Sequence, residues 1–509
     1  MVRPTAKATS VSSPVGGLND RDSIAEMPKQ DAVLLENWWP YPSYVAVRQG
    51  SLTHATGLPD IVRTLAEYSP PSGNDQMFAV AGMAIYDVTS SGPVGAPVVT
   101  GLSSSLFQWQ GLTTPGGSFL YMVNGQDSPQ LYNGTTWTAI TNASTPAITG
   151  VDPSTFAHVT LFKNRLFFVQ ANSMNIWYLP VNSVGGAAQV LDLGSIFRRG
   201  GYVMAVYTWT IDAGSGSDDH LVIISSNGEV AVYRGSDPSS ASDWSIVGVF
   251  VLGMPLGRRC GTKLGGDLAI NTVEGLLPLS RSLLSMSINR EAALTDKIQN
   301  SVSKATASYS GNNGWQVELF PQANMLILNI PAGNGRNFQY CQNTITGAWA
   351  KFSGWDATCW VNTDNGLFYG GNGKVVRAWV GSNDDNLGIV ADMLCAFSEF
   401  GMLARNKFYT MIRPNILTNG TPSIVYSINT DYNIQEPTGT LSYEPPTGMR
   451  WGSMIWGDMI WGGSLVPLSL WQTVGAVSKS AAIRLRVNNS GADVRLTNVD
   501  YVYQVGGLL

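Results

Sequence analysis

Charge is scarce in this 509-residue sequence: Asp, Glu, Lys and Arg together make up 13% of it, about half the usual share. Thirty basic side chains stand against 35 acidic ones, a formal balance of −5. There is no cationic excess to exchange for the counterions of a nucleic acid, so stable DNA or RNA binding is not expected. Histidine is limited to His54, His158 and His220, and cysteine to Cys260, Cys341, Cys359 and Cys395, widely spaced and without a CxxC pair. No zinc-ligand spacing can be assembled from these, and the thiols read as free and buried. No apolar run approaches the ~20 residues that span a bilayer, and MVRPTAKATSVSSPVGG lacks the apolar core of a secretory signal. The expectation is a soluble chain made in a cytoplasm.

Catalytic patterns are equally sparse. There is no Gly-x-Ser-x-Gly, and His220 beside Asp218 and Asp219 reads as the start of a strand. The string Gly370 to Lys374, GGNGK, lacks the spacing of a phosphate-binding loop and sits in a hairpin. Glycoside hydrolysis needs two carboxylates across a cleft, but Asp212, Asp218, Asp219, Glu229 and Asp267 all fall in turn-like contexts. Thr363-Asp364-Asn365-Gly366, the nearest approach to a sialidase box, is more simply a hairpin turn. No catalytic, metal or cofactor site is expected.

What is abundant is the material of strands and tight turns: 55 Gly, 16 Trp and 19 Tyr, with 44% hydrophobic residues. One unit recurs, a short apolar strand followed by a hydrophobic hairpin with a Gly or Asn turn. The hairpins begin at Phe78, Phe119, Leu166, Leu221, Leu268, Met325 and Leu367. The strands before them are VRTLAEY, SLFQWQ, FAHVTLF, VMAVYTW, RCGTKL, WQVELF and ATCWV, and outer strands open at Trp137, Trp244 and Trp349. Three or four strands every ~40 to 55 residues is the spacing of propeller blades. The expected fold is all-β: a β-propeller of about six or seven blades over residues 44–383, with an irregular, helix-like insertion near 280–305. The last unit lacks an outer strand, which Tyr44 to Gly50 could supply. Residues 1–43 are expected to be an extended N-terminal arm, and 384–509, with longer strand spacing, a C-terminal β-sandwich.

The opening segment resembles the start of the tail nozzle proteins of short-tailed bacteriophages, also called tail tubular protein B or phage stabilisation proteins. The order that carries this is Gly16-Gly17-Leu18-Asn19, a polar stretch through Asp22 and Met27, Ala32-Val33-Leu34, Asn37-Trp38-Trp39-Pro40, then Arg48 to Gly50. Lys407-Phe408-Tyr409 to Arg413-Pro414 is similar to a second stretch of that family. The resemblance implies a virion tail subunit that assembles as a homo-hexamer below adaptor ring proteins. It also implies docking of tail fibres or spikes, and transient passage of genomic DNA without stable binding. The other class considered is a carbohydrate-binding or glycan-cleaving propeller, such as a tail-associated receptor-binding protein.

Five tryptophans are candidates for assembly contacts: Trp38 and Trp39 in the arm, and Trp451, Trp456 and Trp461 in a five-residue Trp-Gly repeat. The repeat reads either as a loop folded back on its domain or as an aromatic surface for a partner or membrane. Asp218, Asp219, Asp384 and Asp385 are candidates to line a channel from which DNA is repelled.

Overall fold

The computed structural model describes residues 6–212, 217–282, 290–333, 335–441 and 465–506, and strands dominate it. The chain divides into two compact units. One comprises Thr53–Phe338 and Asp356–Arg377; the other gathers Met1–Leu52, Gln339–Trp355 and Ala378–Leu509.

The first unit is a propeller-like arrangement of small antiparallel sheets. Strands Gln108–Thr114, Gly117–Val123, Gln130–Tyr132 and Trp137–Ala139 pair in chain order. The same order recurs at Phe156–Phe162, Arg165–Gln170, Asn175–Tyr178 and Gln189–Asp192, and at Val203–Asp212, Ser217–Ser225, Glu229–Arg234 and Ser245–Val251. Three strands follow at Gly261–Leu264, Asp267–Thr272 and Gly275–Pro278, then the pair Gln316–Phe320 and Met325–Ile330.

The apolar hairpins lack strict alternation because their strands are buried on both faces. In Leu166-Phe167-Phe168-Val169, Leu166 and Phe168 meet Leu112, Tyr121 and Val123 of the preceding sheet. Phe167 and Val169 point the other way and meet Val206, Leu221 and Ile223 of the following one. With a side-chain period of two, each sheet thus supplies half of two cores. The tight turn at Lys163-Asn164, both with positive φ (47° and 58°), joins two of these strands.

One long strand, Ser51–Tyr68, serves two sheets. Its later half pairs with Gln76–Ala81, from Val62 opposite Ala81 to Tyr68 opposite Gln76. Its earlier part flanks Asn372–Ala378, completing the sheet of Cys359–Thr363 and Gly366–Gly370. The missing outer strand therefore comes from the segment after Tyr44 to Gly50. Val45–Val47 is engaged elsewhere, paired with Trp38–Pro40 and with Val494–Val505. The irregular stretch contains the short helix Leu279–Ser282, two 3-10 turns and the helix Gln299–Tyr309.

The second unit interleaves distant parts of the chain. Residues 6–43, expected as part of an extended arm, carry paired strands: Asp31–Glu36 lies between Trp349–Phe352 and Ile389–Cys395, and Ala6–Ser12 runs antiparallel to Val494–Val505. Ile389–Cys395 continues to Ala481–Asn489 and Ser423–Thr430, while Lys407–Thr418 pairs with Val494–Val505 and Gln472–Ser478. The segment is built in because its apolar residues are consumed by the core; Leu18, Met27, Ala32 and Leu35 are all buried.

At the centre of this unit lies Arg48. Its Nε donates to Asn37 Oδ1 (2.9 Å), its Nη2 to the Ser353 carbonyl (2.7 Å), and its two Nη atoms clamp Asp384 at 3.1 and 2.6 Å. The guanidinium stacks 4.5 Å from the Trp355 ring, and Ser51 Oγ and Trp355 Nε1 also donate to Asp384. Gly50 is required alongside, because a Cβ there would land on the Asn383 carbonyl. Truncating one partner of a buried, hydrogen-bonded ion pair strands the other. Arg48→Ala is therefore expected to destabilise the protein by roughly 3 to 5 kcal/mol in denaturant unfolding. Arg48→Lys should recover little of it, since a point charge reproduces neither the bidentate clamp nor the stacking.

Candidate functional site

The inner strands of the propeller-like unit converge on an axis occupied by Arg259. This residue sits just before Gly261–Leu264, held by a bridge to Gln316 and by the Val317 amide donating to its carbonyl. Its Nη2 donates to the Arg63 carbonyl (3.1 Å), Thr64 Oγ1 (2.9 Å) and the Phe107 carbonyl (2.9 Å); Nη1 reaches Gln316 Oε1 at 3.4 Å. The side chain thus ties the first, second and sixth hairpin repeats at the centre and separates two cavities, both of which it lines.

The larger cavity, about 480 Å³, is lined from all seven repeats, including Arg63, Gln108, Ala157, Tyr202, Arg258, Trp315 and Thr358. The smaller, about 240 Å³, is lined by His158, Tyr207, Gln316, Glu318 and Trp360 among others. Gln316 orders this end: its Nε2 donates to Glu318 Oε2 (3.0 Å) and the Trp360 carbonyl (2.8 Å), and its Oε1 accepts from the Trp360 amide (3.0 Å). Tyr207 Oη donates to the Arg258 carbonyl at 2.7 Å and accepts from the Gly261 amide at 3.0 Å.

The protein around the axis shifts its titrating groups. Burial pushes the Glu318 carboxyl up to about 7, only partly offset by Gln316 and Arg259. Burial, reinforced by Arg258 and Arg259, drives His158 down to about 3, so the imidazole is neutral at physiological pH. Its Nδ1 is buried without a hydrogen-bond partner.

A second concavity, about 260 Å³, lies where the first and last sheets share the Ser51–Tyr68 strand. It is lined by His54, Glu67, Asp75, Thr363, Phe368 and Arg377 among others. Burial, then the charges of Asp75 and Asp364, raise Glu67 to about 7. His54 Nε2 is 2.9 Å from the Val88 carbonyl and its ring meets Phe368 edge-on, so it supports the wall.

Among the described residues, none of the assembly or channel candidates singled out from sequence lines these three cavities. Trp38 and Trp39 are 0% and 1% exposed, the latter packed among Phe352 and Trp379, so they build the second unit's core instead of an open contact surface. Asp384 is spent on Arg48, and the neighbouring Asp385 is half-buried with its amide donating to the Ser51 carbonyl. Asp219 accepts from Lys163 Nζ (2.6 Å) and Thr210 Oγ1 (2.8 Å), which lower its pKa. Asp218 belongs to the strand Ser217–Ser225, opposite Ile211, and its side chain lies outside the described residues. Trp451, Trp456 and Trp461 also lie outside them. The four cysteines are free and buried.

The sequence reading passed over Arg63, Arg258, Arg259, Glu67 and Glu318. Their signal was present: in so weakly charged a chain, ionisable residues recur in or next to the apolar inner strands, where charge is expensive.

No family model and no curated protein sequence matches the chain. Solved structures similar to it include the CNH domain of AfRom2, at 11% identity over 53% of this chain and 81% of that one, with a TM-score of 0.32. A protein assigned as a 6-phosphogluconolactonase from Bacteroides fragilis aligns at 12% identity over 66% and 90%, with a TM-score of 0.36. An exo-beta-1,3-galactanase from Phanerochaete chrysosporium, solved with galactose, aligns at 10% over 77% and 95%, with a TM-score of 0.26.

Glu67 and Glu318 define a pH response. Each has a folded value near 7 against an ordinary 4.5, so between those values the folded chain holds more protons than the unfolded one. Their contribution is fully present below pH 4.5 and is lost as pH rises through 7. His158, whose folded value is lowered, opposes this up to pH 6.5. The test is therefore a comparison: between pH 4.5 and 8 the wild-type chain should lose more stability in thermal melts than Glu318→Gln does.

Proposed function

We propose that this chain is a structural subunit of a bacteriophage tail, a nozzle-type protomer. In this reading it closes into a homo-hexameric ring between adaptor ring proteins and fibres or spikes, and genomic DNA passes through the space between subunits. The seven hairpin repeats read as seven blades, and the two sheets of the other unit as a β-sandwich completed by N-terminal strands.

The observation that carries the proposal is a pair of unlike apolar surfaces. In the propeller-like unit the outer strand Ser245–Val251 is an edge, bulged at Val247, with Ile246, Val247 and Val249 exposed and Val247 at 51%. Long apolar edges of this kind invite pairing unless something covers them. In the other unit Phe408 and Val477 are cross-strand neighbours, both exposed, Val477 at 64%. A ring closed by heterologous contacts needs two different faces on each copy. The resemblance at the N-terminus supports the same reading, since Asn37, Arg48 and Gly50 of that segment organise the second unit.

Electron microscopy of the purified chain and of virions tests this. Rings of six are the expected result; a monomer absent from virions would overturn it. Val247→Asp and Val477→Asp should each block ring formation while leaving the melting temperature within a few degrees. Mixed together they should give two-chain species, because each retains the face the other has lost.

One observation favours a second reading, a glycan-directed hydrolase. Glu67, protonated near neutrality, stands with Asp75 in a cleft, and a raised general acid beside a second carboxylate is the equipment of glycoside hydrolysis. Turnover of a cell-surface glycan that Glu67→Gln abolishes would establish it; no turnover by the wild-type chain would remove it.

A further inference from the structure

The larger axial cavity is cationic in a chain that is acidic overall. Arg63, Arg258 and Arg259 all line it, and among the described residues no Asp or Glu does. Arg259 spends its donors on the axis as described. Among the described residues the Arg63 side chain makes no hydrogen bond or ion pair, and the Arg258 side chain makes a single hydrogen bond, from Nη1 to the Met204 carbonyl (2.6 Å).

On the far side of Arg259 lies the Glu318 carboxyl, which burial raises to about 7. Two guanidiniums set into protein with no counter-charge are costly unless an anion completes them. The rest of the wall is suited to a polar ligand: among the described residues the side-chain amides of Gln108, Gln126, Asn172 and Asn313 are uncommitted, and Trp315 adds an aromatic surface. The volume, about 480 Å³, falls in the ~300–1,000 Å³ range of small-molecule sites.

We infer that this end of the axis is a binding site for a small oxyanion-bearing ligand, with Arg63 and Arg258 clamping the oxyanion and the amides contacting hydroxyl groups. Planar guanidinium forks match carboxylate and phosphate oxygens in pairs, which gives the site its selectivity for oxyanions over neutral polyols. The inference is independent of ring formation, because every residue it uses belongs to the propeller-like unit.

Calorimetric titration of the full-length chain with D-glucuronate, inorganic phosphate and D-glucose tests it. Glucuronate or phosphate should bind and raise the melting temperature, and glucose should not. Tighter binding of glucuronate identifies a sugar acid as the source of the oxyanion, tighter binding of phosphate a phosphorylated ligand. Arg63→Gln should weaken binding by about tenfold or more without lowering the melting temperature of the free protein, since Arg63 has no partner to lose. Arg258→Gln should weaken it similarly; if that variant fails to fold, Arg63→Gln alone decides. Absence of binding by both anions, equal binding of glucose, or affinity untouched by Arg63→Gln would overturn the inference.

Discussion

The guanidinium of Arg259 is the point on which the propeller-like unit depends. The inner strands bring backbone carbonyls to a common axis, and a buried carbonyl must find a donor. Arg259 supplies donors to the Arg63 and Phe107 carbonyls and to Thr64 Oγ1, joining repeats that are 152 to 196 residues apart in sequence. Because the axis is closed by one charged side chain and not by apolar packing, its surroundings become electrostatically uneven. Burial raises Glu318 against the pull of Arg259, burial together with Arg258 and Arg259 lowers His158, and among the described residues the wall on the Arg63 and Arg258 side carries positive charge alone. The same residue therefore closes the centre and lines both cavities beside it.

The second unit solves a different problem with similar means. Its strands come from the beginning, the middle and the end of the chain, so no local hairpin can assemble it. Arg48 gathers Asn37, Ser353 and Asp384, and Trp355 closes over the guanidinium. Asp392 plays a comparable part further along, accepting from both Arg484 and Arg486 on the neighbouring strand. In a chain with few charges, several of these side chains are spent inside as cross-links. Apolar side chains such as Ile246, Val247 and Val249 of Ser245–Val251 meanwhile stand exposed.

The residues that carry the resemblance to tail nozzle proteins acquire a physical role in this arrangement. Asn37 adopts a left-handed φ of 58° and accepts from Arg48, while its Nδ2 donates to the Val390 carbonyl. Gly50 admits the close approach of residue 383. Such a segment tolerates little change because it determines the core of a unit, whatever that unit then contacts.

The hairpins were legible in the amino-acid sequence because their determinants are local. Apolar strands, turns built on Gly or Asn, and their spacing all lie within about fifty residues, and the strands found at Gln108, Phe156, Val203, Gly261, Gln316 and Cys359 are those that the pattern marks out. Tertiary structure alone decided which strand completes the last sheet, that residues 6–47 are woven into a unit with the C-terminal strands, and that Asp384 is a buried partner of Arg48 336 positions away. It also decided that Arg259 fills an axis. These are pairings between distant segments, each with several strands or carboxylates of similar local character to choose from, and only the simultaneous satisfaction of buried polar groups and two-sided cores selects among them.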